Sequence, residues 1–225
     1  MRIAVVQHRF RPTPAQDLEA LVLAASRAAA EGAGLVLLPV VPDLDEGPLA
    51  DDLWRRLAAE APNTLVLVPR AGEEAAVAVD DLDGLGRVAL LPGDASFDPD
   101  TLAQVFAERP DIALLAPGAE SELQAQAVLE FAIGLSTSLA SVVFIVEPDG
   151  AEVGEPGHGG SAIVYLGDVM AEASSGDDVI VADVPLPAGR PEPLGALPEV
   201  PLLLAQRFAT HRGRKLAVEY PADLG

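Results

Sequence analysis

Short runs of consecutive apolar residues alternate with longer segments whose apolar residues recur at helical spacing, from the amino terminus to residue 146. The first run, residues 3–6, contains several β-branched residues, which is typical of a buried strand. The next segment begins near Pro14, carries leucine and alanine at helical spacing and stops at Gly32. Proline suits the first turn of a helix and glycine its end, so this segment is predicted to be a helix.

The same alternation repeats along the chain and sets the expected fold class. It predicts further strands at residues 35–39, 64–68, 75–79, 88–91, 112–116 and 142–146, and helices at 53–61, 99–108 and 120–136. Strands that alternate with helices are typical of a layered α/β domain. After Gly150 the pattern changes to successive strands at 162–165, 169–173 and 179–184, which glycine-rich and acidic turns separate.

The carboxyl-terminal part of the chain is rich in proline. Residues 185–201 read PLPAGRPEPLGALPEVP, which is too stiff for a helix or a central strand and predicts an extended arm. A short final helix is expected from Leu202 to about His211. Composition marks no domain boundary, so we expect one domain over residues 1–225, with 185–201 as the arm and 202–225 as a terminal helix and tail.

Charge and composition narrow the classes of partner. The 225 residues include 35 acidic and 14 basic side chains, a formal net charge of −21 at pH 7. This charge repels phosphate backbones and anionic headgroups within a Debye length of about 8 Å, so no nucleic acid or membrane partner is expected. We interpret the acidity as compositional bias, with salt adaptation as the alternative. The opening apolar run is far shorter than a spanning helix of about 20 residues, which predicts a cytoplasmic protein.

The order of several segments resembles the nitrilase, or carbon-nitrogen hydrolase, superfamily. The first strand and helix lead into LVLLP, and the nucleophile strand and elbow of the family resemble GRVALLPGDASFDPDTL. The strands that follow resemble PDIALLAPGAES and GHGGSAIVYLGDVMAEASSGDDVIVADVPL. The resemblance covers most of residues 1–185. It implies a four-layer αββα sandwich of nitrilase type, which commonly pairs through its outer helices and terminal arm, so a homodimer is expected.

The family's reaction uses a glutamate base, a lysine that stabilises the oxyanion and a cysteine nucleophile. The resemblance places Val40 at the position of the glutamate and Pro92 at that of the cysteine. The loop that would carry the lysine is reduced to DDLDGLGR, and the only lysine of the chain is Lys215. The chain contains no cysteine at all. Loss of a cooperating catalytic set leaves little but binding, so the sequence predicts a pseudoenzyme that needs no cofactor.

Three acidic or histidine positions are candidates for ligand binding. Asp94 lies on the degenerate elbow, His158 lies in the glycine-rich GHGGS turn, and Asp43 begins an acidic loop that continues through Asp45 and Glu46. Surface acidity is the favoured explanation of the aspartates, and a cation or amine site is the alternative. GHGGS precedes a strand and lacks the lysine of a phosphate-binding loop, so that function is rejected.

Three functional hypotheses remain open. The first is a pseudoenzyme that binds a protein partner, including a paralogue, or a small ligand in the remnant of the pocket. A pocket closed by Val40 and Pro92 favours the protein partner, and an open one lined by Asp94 and His158 favours the ligand. The second is a carbon-nitrogen hydrolase with a relocated, metal-assisted site at residues 43–46 and His158. The third is a structural subunit of an assembly.

Overall fold

A computed structural model of the chain describes residues 1–41, 44, 47–68, 79–82, 84–150, 157–186 and 194–219. Side chains are described for all of these except 79–81 and 212–219. The acidic positions Asp43, Asp45 and Glu46 lie outside the described residues, as does most of the strand predicted at 75–79.

The described residues form strands and helices in the predicted order, with one additional 3₁₀ helix. The strands are β1 Arg2–Gln7, β2 Leu35–Leu37, β3 Leu65–Leu67, β4 Val79–Leu82, β5 Gly86–Pro92, β6 Ile112–Ala116, β7 Val142–Ile145, β8 Ala162–Tyr165, β9 Asp168–Glu172 and β10 Asp178–Asp183. The helices are α1 Pro14–Ala30, α2 Pro48–Glu60, the 3₁₀ helix Gly93–Phe97, α3 Pro99–Glu108, α4 Glu122–Leu139 and α5 Leu202–Glu219.

The strands form two sheets of similar plan. The first has the order β10-β1-β2-β3, with β1, β2 and β3 parallel and β10 antiparallel to β1. The second has the order β4-β5-β6-β7-β8-β9, with β5, β6 and β7 parallel and the remaining pairs antiparallel. Parallel neighbours need a crossover, which α1, α2, α3 and α4 supply. The carboxyl ends of the parallel strands in each sheet therefore share one edge.

Three apolar layers hold the structure together. Between the sheets, Val5 and Leu37 meet Leu114 and Phe144. On the other face of the first sheet, the alternate residues of β1 and β2 pack against α1 and α2. On the outer face of the second sheet, the alternate residues of β5, β6 and β7 pack against α3, α4 and Leu204 of α5. This arrangement is the predicted four-layer αββα sandwich.

Local chemistry explains where the helices begin. Asp98 accepts a hydrogen bond from the Thr101 amide at 3.0 Å at the start of α3, and Ser121 accepts one from the Gln124 amide at 3.3 Å at the start of α4. Helices α1, α2 and α3 each have a proline in the first turn. Within the described residues, none of the helices combines the length and the apolarity that crossing a membrane requires.

Candidate functional site

The residue that ends β5, just before a 3₁₀ helix, offers no nucleophile. Pro92 is the last residue of β5 and pairs with Ala116 of β6. The 3₁₀ helix that follows is held by Ser96, whose hydroxyl donates to the Leu91 carbonyl at 2.5 Å, and by the fully buried ring of Phe97. Proline has no ionisable side chain and no backbone N–H. The position to which the resemblance assigns the cysteine can therefore neither attack a carbonyl nor donate a hydrogen bond.

The position to which the resemblance assigns the base is apolar as well. Val40 follows the end of β2 and is partly buried. Its neighbour Val41 is 3% exposed and packs in the layer between the first sheet and its helices. An isopropyl group accepts no proton, so the edge of the first sheet supplies no base at this position.

Asp94 is held by helix α5. One of its carboxylate oxygens lies 3.0 Å from Nδ1 of His211, and the other lies 3.6 Å from Nε of Arg207. Nε2 of the same His211 ring lies 3.3 Å from a carboxylate oxygen of Glu120. We call Asp94, Glu120, Arg207 and His211 the α5 cluster. The sequence predicted Asp94 as a ligand-binding candidate. Its partner on α5 lies more than a hundred residues later in the chain, and no local pattern indicates this pairing.

His158 lies elsewhere, on the connection between β7 and β8. Its backbone bridges to Asp149 and its side chain is exposed. Glycine is required just before it, because a Cβ on Gly157, whose φ is +114°, would lie 2.3 Å from the Pro148 carbonyl oxygen. Among the described residues, no hydrogen bond or ion pair joins His158 to Asp94. The structure thus connects each of these two candidates to different elements.

The buried side chain of Gln7 forms hydrogen bonds with the glycine-rich turn and with the turn before β10. At the end of β1, its amide nitrogen donates to the Gly176 carbonyl at 2.9 Å and to the Ser174 carbonyl. Its amide oxygen accepts from the Ser161 amide at 3.0 Å. A Cβ on Gly159 would lie 2.9 Å from the Gln7 side chain, so this approach needs glycine. The isolated polar residue at the end of an apolar run is the sequence signal that marks Gln7.

The Ser161 hydroxyl is engaged on both sides. It donates to the carbonyl of Glu147 at 3.1 Å and accepts from the amide of the same residue at 3.0 Å. The side chain is fully buried. A serine nucleophile needs an adjacent base to take its proton. The hydroxyl of Ser161 instead completes the pairing between β7 and the start of β8.

His8 is buried between two carboxylates. Its Nε2 contacts Asp17, and its Nδ1 lies 3.4 Å from Asp177. Asp177 also accepts from the Arg9 amide at 2.9 Å and forms an ion pair with Arg11. These contacts join the end of β1 to α1 and to the turn before β10. Among the described residues, no group of three or more histidine, cysteine, aspartate or glutamate side chains is arranged to hold a metal ion.

Glu147 is a buried acid that sequence inspection did not single out. Val143 and Ile145 of β7 face the helix side of the second sheet, and the alternation places Glu147 on the same side. Its two carboxylate oxygens accept from the amides of Gly118 at 2.8 Å and Ala119 at 3.2 Å. Burial raises the pKa of Glu147 to about 8, although those amides and Arg207 lower it in part. The signal in the sequence is an acid that directly ends the run VVFIV.

Solved structures similar to this chain are amidases and related proteins. A variant of the Nesterenkonia AN1 amidase from the nitrilase superfamily is 19% identical, with a TM-score of 0.66 over 95% of this chain and 97% of that chain. A second variant of that amidase carries the acetamide moiety of fluoroacetamide at its active site cysteine; it is 19% identical, with a TM-score of 0.66 over 82% and 90% of the two chains.

A more distant likeness extends to a eukaryotic protein. Saccharomyces cerevisiae Nit3, a member of branch 10 of the nitrilase superfamily, is 13% identical, with a TM-score of 0.63 over 81% of this chain and 89% of that chain. No protein-family model and no curated protein matches the sequence. The two sheets, their flanking helices and these likenesses agree, and the chain therefore has the fold of the nitrilase superfamily.

Proposed function

We propose that this chain is a nitrilase-fold pseudoenzyme that acts by binding a protein partner. The observation that carries the proposal is the absence of any cysteine from the 225 residues of a chain with this fold. Val40 and Pro92 at the positions of the base and the nucleophile support it, because neither side chain transfers a proton or attacks a carbonyl. Removal of the whole catalytic set leaves the surface and the interior as the parts available for function.

The interior polar groups favour a protein partner over a small ligand. Asp94 is paired with α5, and Ser161 and Gln7 are hydrogen-bonded to other parts of the chain. A ligand would have to displace these bonds, and the buried groups of Gln7 and Ser161 would each lose about 1–3 kcal/mol. Of the other two candidates, His158 is exposed and Asp43 lies outside the described residues. The described residues therefore offer less support to the ligand hypothesis than to a protein partner.

The outer face formed by α4 and α5 is the proposed docking surface. Leu123 at the start of α4 and Leu202 at the start of α5 are 69% and 73% exposed. Glu122 and Glu130 are exposed on α4. Exposed apolar side chains with a charged rim are typical of protein interfaces. A second copy would bring a further charge of −21, so electrostatics favours a partner with a basic surface.

A native pull-down with mass spectrometry at two salt concentrations tests this proposal. We expect a stoichiometric basic protein whose capture falls as the salt concentration rises. Leu123→Glu should abolish capture, whereas Leu23→Glu, at an exposed leucine on α1, should leave it unchanged. Capture of a metabolite without any protein, or equal capture by both variants, would refute the assignment of this face.

A trapping experiment tests the loss of chemistry separately. The related amidase variant shows covalent addition from fluoroacetamide at its cysteine. We expect the wild-type chain to gain no mass with this reagent, and we expect Pro92→Cys to supply a thiol at the elbow. An adduct on the wild-type chain would identify a nucleophile other than cysteine and would contradict the proposal.

A further inference from the structure

The ring of His211 lies between two carboxylates of different loops. Its Nδ1 lies 3.0 Å from Asp94, in the 3₁₀ helix after β5, and its Nε2 lies 3.3 Å from Glu120, in the connection between β6 and α4. An ionised carboxylate only accepts hydrogen bonds. The contact with Asp94 is a hydrogen bond, and the contact with Glu120 is an ion pair. Only the protonated ring carries a hydrogen on both nitrogens and a charge that attracts both carboxylates.

We propose that helix α5 is a pH-dependent strap, fastened by the protonated ring of His211, that ties together the two loops at the carboxyl ends of β5 and β6. Histidine changes its charge between about pH 5 and pH 8. On the acidic side of this range the charged ring hydrogen-bonds to Asp94 and forms an ion pair with Glu120. On the alkaline side the neutral ring donates to one carboxylate only, and the strap loosens. This regulation does not depend on the identity of any partner.

Other contacts of α5 hold the helix in place when the His211 ring loses its proton. Arg207, one helical turn before His211, donates to the Pro117 carbonyl at 2.7 Å and to the Gln124 side chain at 3.3 Å. These bonds persist at every pH because guanidinium stays charged. Leu204 is fully buried in the helix-side layer. The contacts of Arg207 and Leu204 are thus independent of pH, whereas those of His211 respond to it.

The charges that face this fastening set the direction of the effect. Asp94 faces the ring from the 3₁₀ helix, Glu120 from the loop before α4, and Arg207 from α5 itself. The carboxylate of Glu147 accepts hydrogen bonds from the amides of residues 118 and 119, in the loop that carries Glu120. A protonated His211 neutralises part of the negative charge of Asp94 and Glu120. Among the described side chains, its neutral form leaves that charge opposed by Arg207, so the attachment of α5 to the two loops weakens as the pH rises.

The absence of native cysteine permits a direct accessibility test. Leu204→Cys places a thiol under α5, and Leu21→Cys places one under α1, where the native leucine is 1% exposed. Both are labelled with a maleimide between about pH 6 and pH 8.5. The α1 reporter measures global unfolding, and any faster labelling of the α5 reporter measures local release of the strap.

The reporter is compared with and without His211→Arg, which keeps a positive charge at every pH. Relative to this variant, we expect the α5 reporter in the native background to be labelled about fivefold faster at the alkaline end than at the acidic end, the effect of losing one partly exposed charged hydrogen bond. His158→Gln, at an exposed histidine for which the described residues show no hydrogen bond or ion pair with the α5 cluster, should change nothing. A ratio that is constant with pH, or equal labelling of both reporters throughout, would overturn the proposal.

Hydrogen exchange of the unlabelled wild-type chain provides a second readout that needs no cysteine. After correction for intrinsic exchange, and relative to the same amides in His211→Arg, the amides of residues 93–97 and 118–121 should lose protection together as the pH rises. Loss of protection confined to α5, with both loops unchanged, would show that α5 does not tie the loops.

Discussion

Replacement of Glu147 by glutamine should reverse the order of stability between acidic and alkaline pH. The carboxyl group is fully buried, and burial raises its pKa to about 8 from the ordinary value of 4.5. The folded chain therefore retains a proton that the unfolded chain releases above about pH 4.5. The stabilisation from this proton is complete below the unfolded pKa and is lost progressively as the pH rises to 8.

The magnitude follows from the two pKa values. Each pKa unit between the folded and unfolded states is worth about 1.4 kcal/mol, so the stability lost between pH 4.5 and pH 8 is on the order of 5 kcal/mol. Glutamine has no such dependence. However, its NH₂ group must face the amide of Gly118 or Ala119, which costs about 1–3 kcal/mol at every pH. We therefore expect Glu147→Gln to be less stable than wild type near pH 5 and more stable near pH 8.5.

Urea denaturation followed by circular dichroism from about pH 5 to pH 9 measures this difference. Glu130→Gln is the matched control, because it removes one carboxylate from an exposed position on α4. The control corrects for the change in net charge. A free-energy difference between wild type and Glu147→Gln that stays constant with pH would refute the reasoning, because Glu147 would then be ionised throughout.

Two substitutions test the packing around the degenerate elbow and the glycine-rich turn, again by urea denaturation. Gly159→Ala should destabilise more than Gly32→Ala, because both have positive φ but only the first places a Cβ within 3 Å of a side chain, that of Gln7; equal losses would show that Gln7 moves aside. Phe97→Ala should cost about 3–5 kcal/mol, because the buried ring packs edge to face against Phe131 at 6.2 Å; a loss below about 1 kcal/mol would show that the elbow is not held by this ring.

The fold could be predicted largely because apolar runs and helical spacing report burial directly. The strand at 112–116 agrees with the structure because an acid and a proline bound its apolar run. The strand Val79–Leu82 lies partly where acidic residues predicted a turn. Pairing with β5 overrides that local preference. The final helix extends to Glu219, beyond the predicted end near His211.

The only feature of the candidate site that the sequence could predict is the missing cysteine nucleophile. The missing cysteine is visible in the sequence, and the structure places Pro92 at the end of β5. The positive features depend on distant parts of the chain. Asp94 pairs with His211, and Glu147 becomes buried because the loop before α4 covers it. Periodicity within one segment carries no information about such pairings.

The expectations about assembly and location remain predictions. Size-exclusion chromatography with light scattering tests the expected homodimer, and fractionation of native cells tests the cytoplasmic location. Metal analysis of chain purified without chelator or affinity-tag metal tests the relocated, metal-assisted hydrolase, which requires a stoichiometric ion.

Release of ammonia from a panel of amides and nitriles by the purified chain tests the central claim most directly. The account predicts a rate equal to that of buffer alone, at any protein concentration, because no side chain at position 40 or 92 performs the chemistry of the family. Ammonia release that rises in proportion to the concentration of the chain, and that follows the chain through successive purification steps, would contradict it.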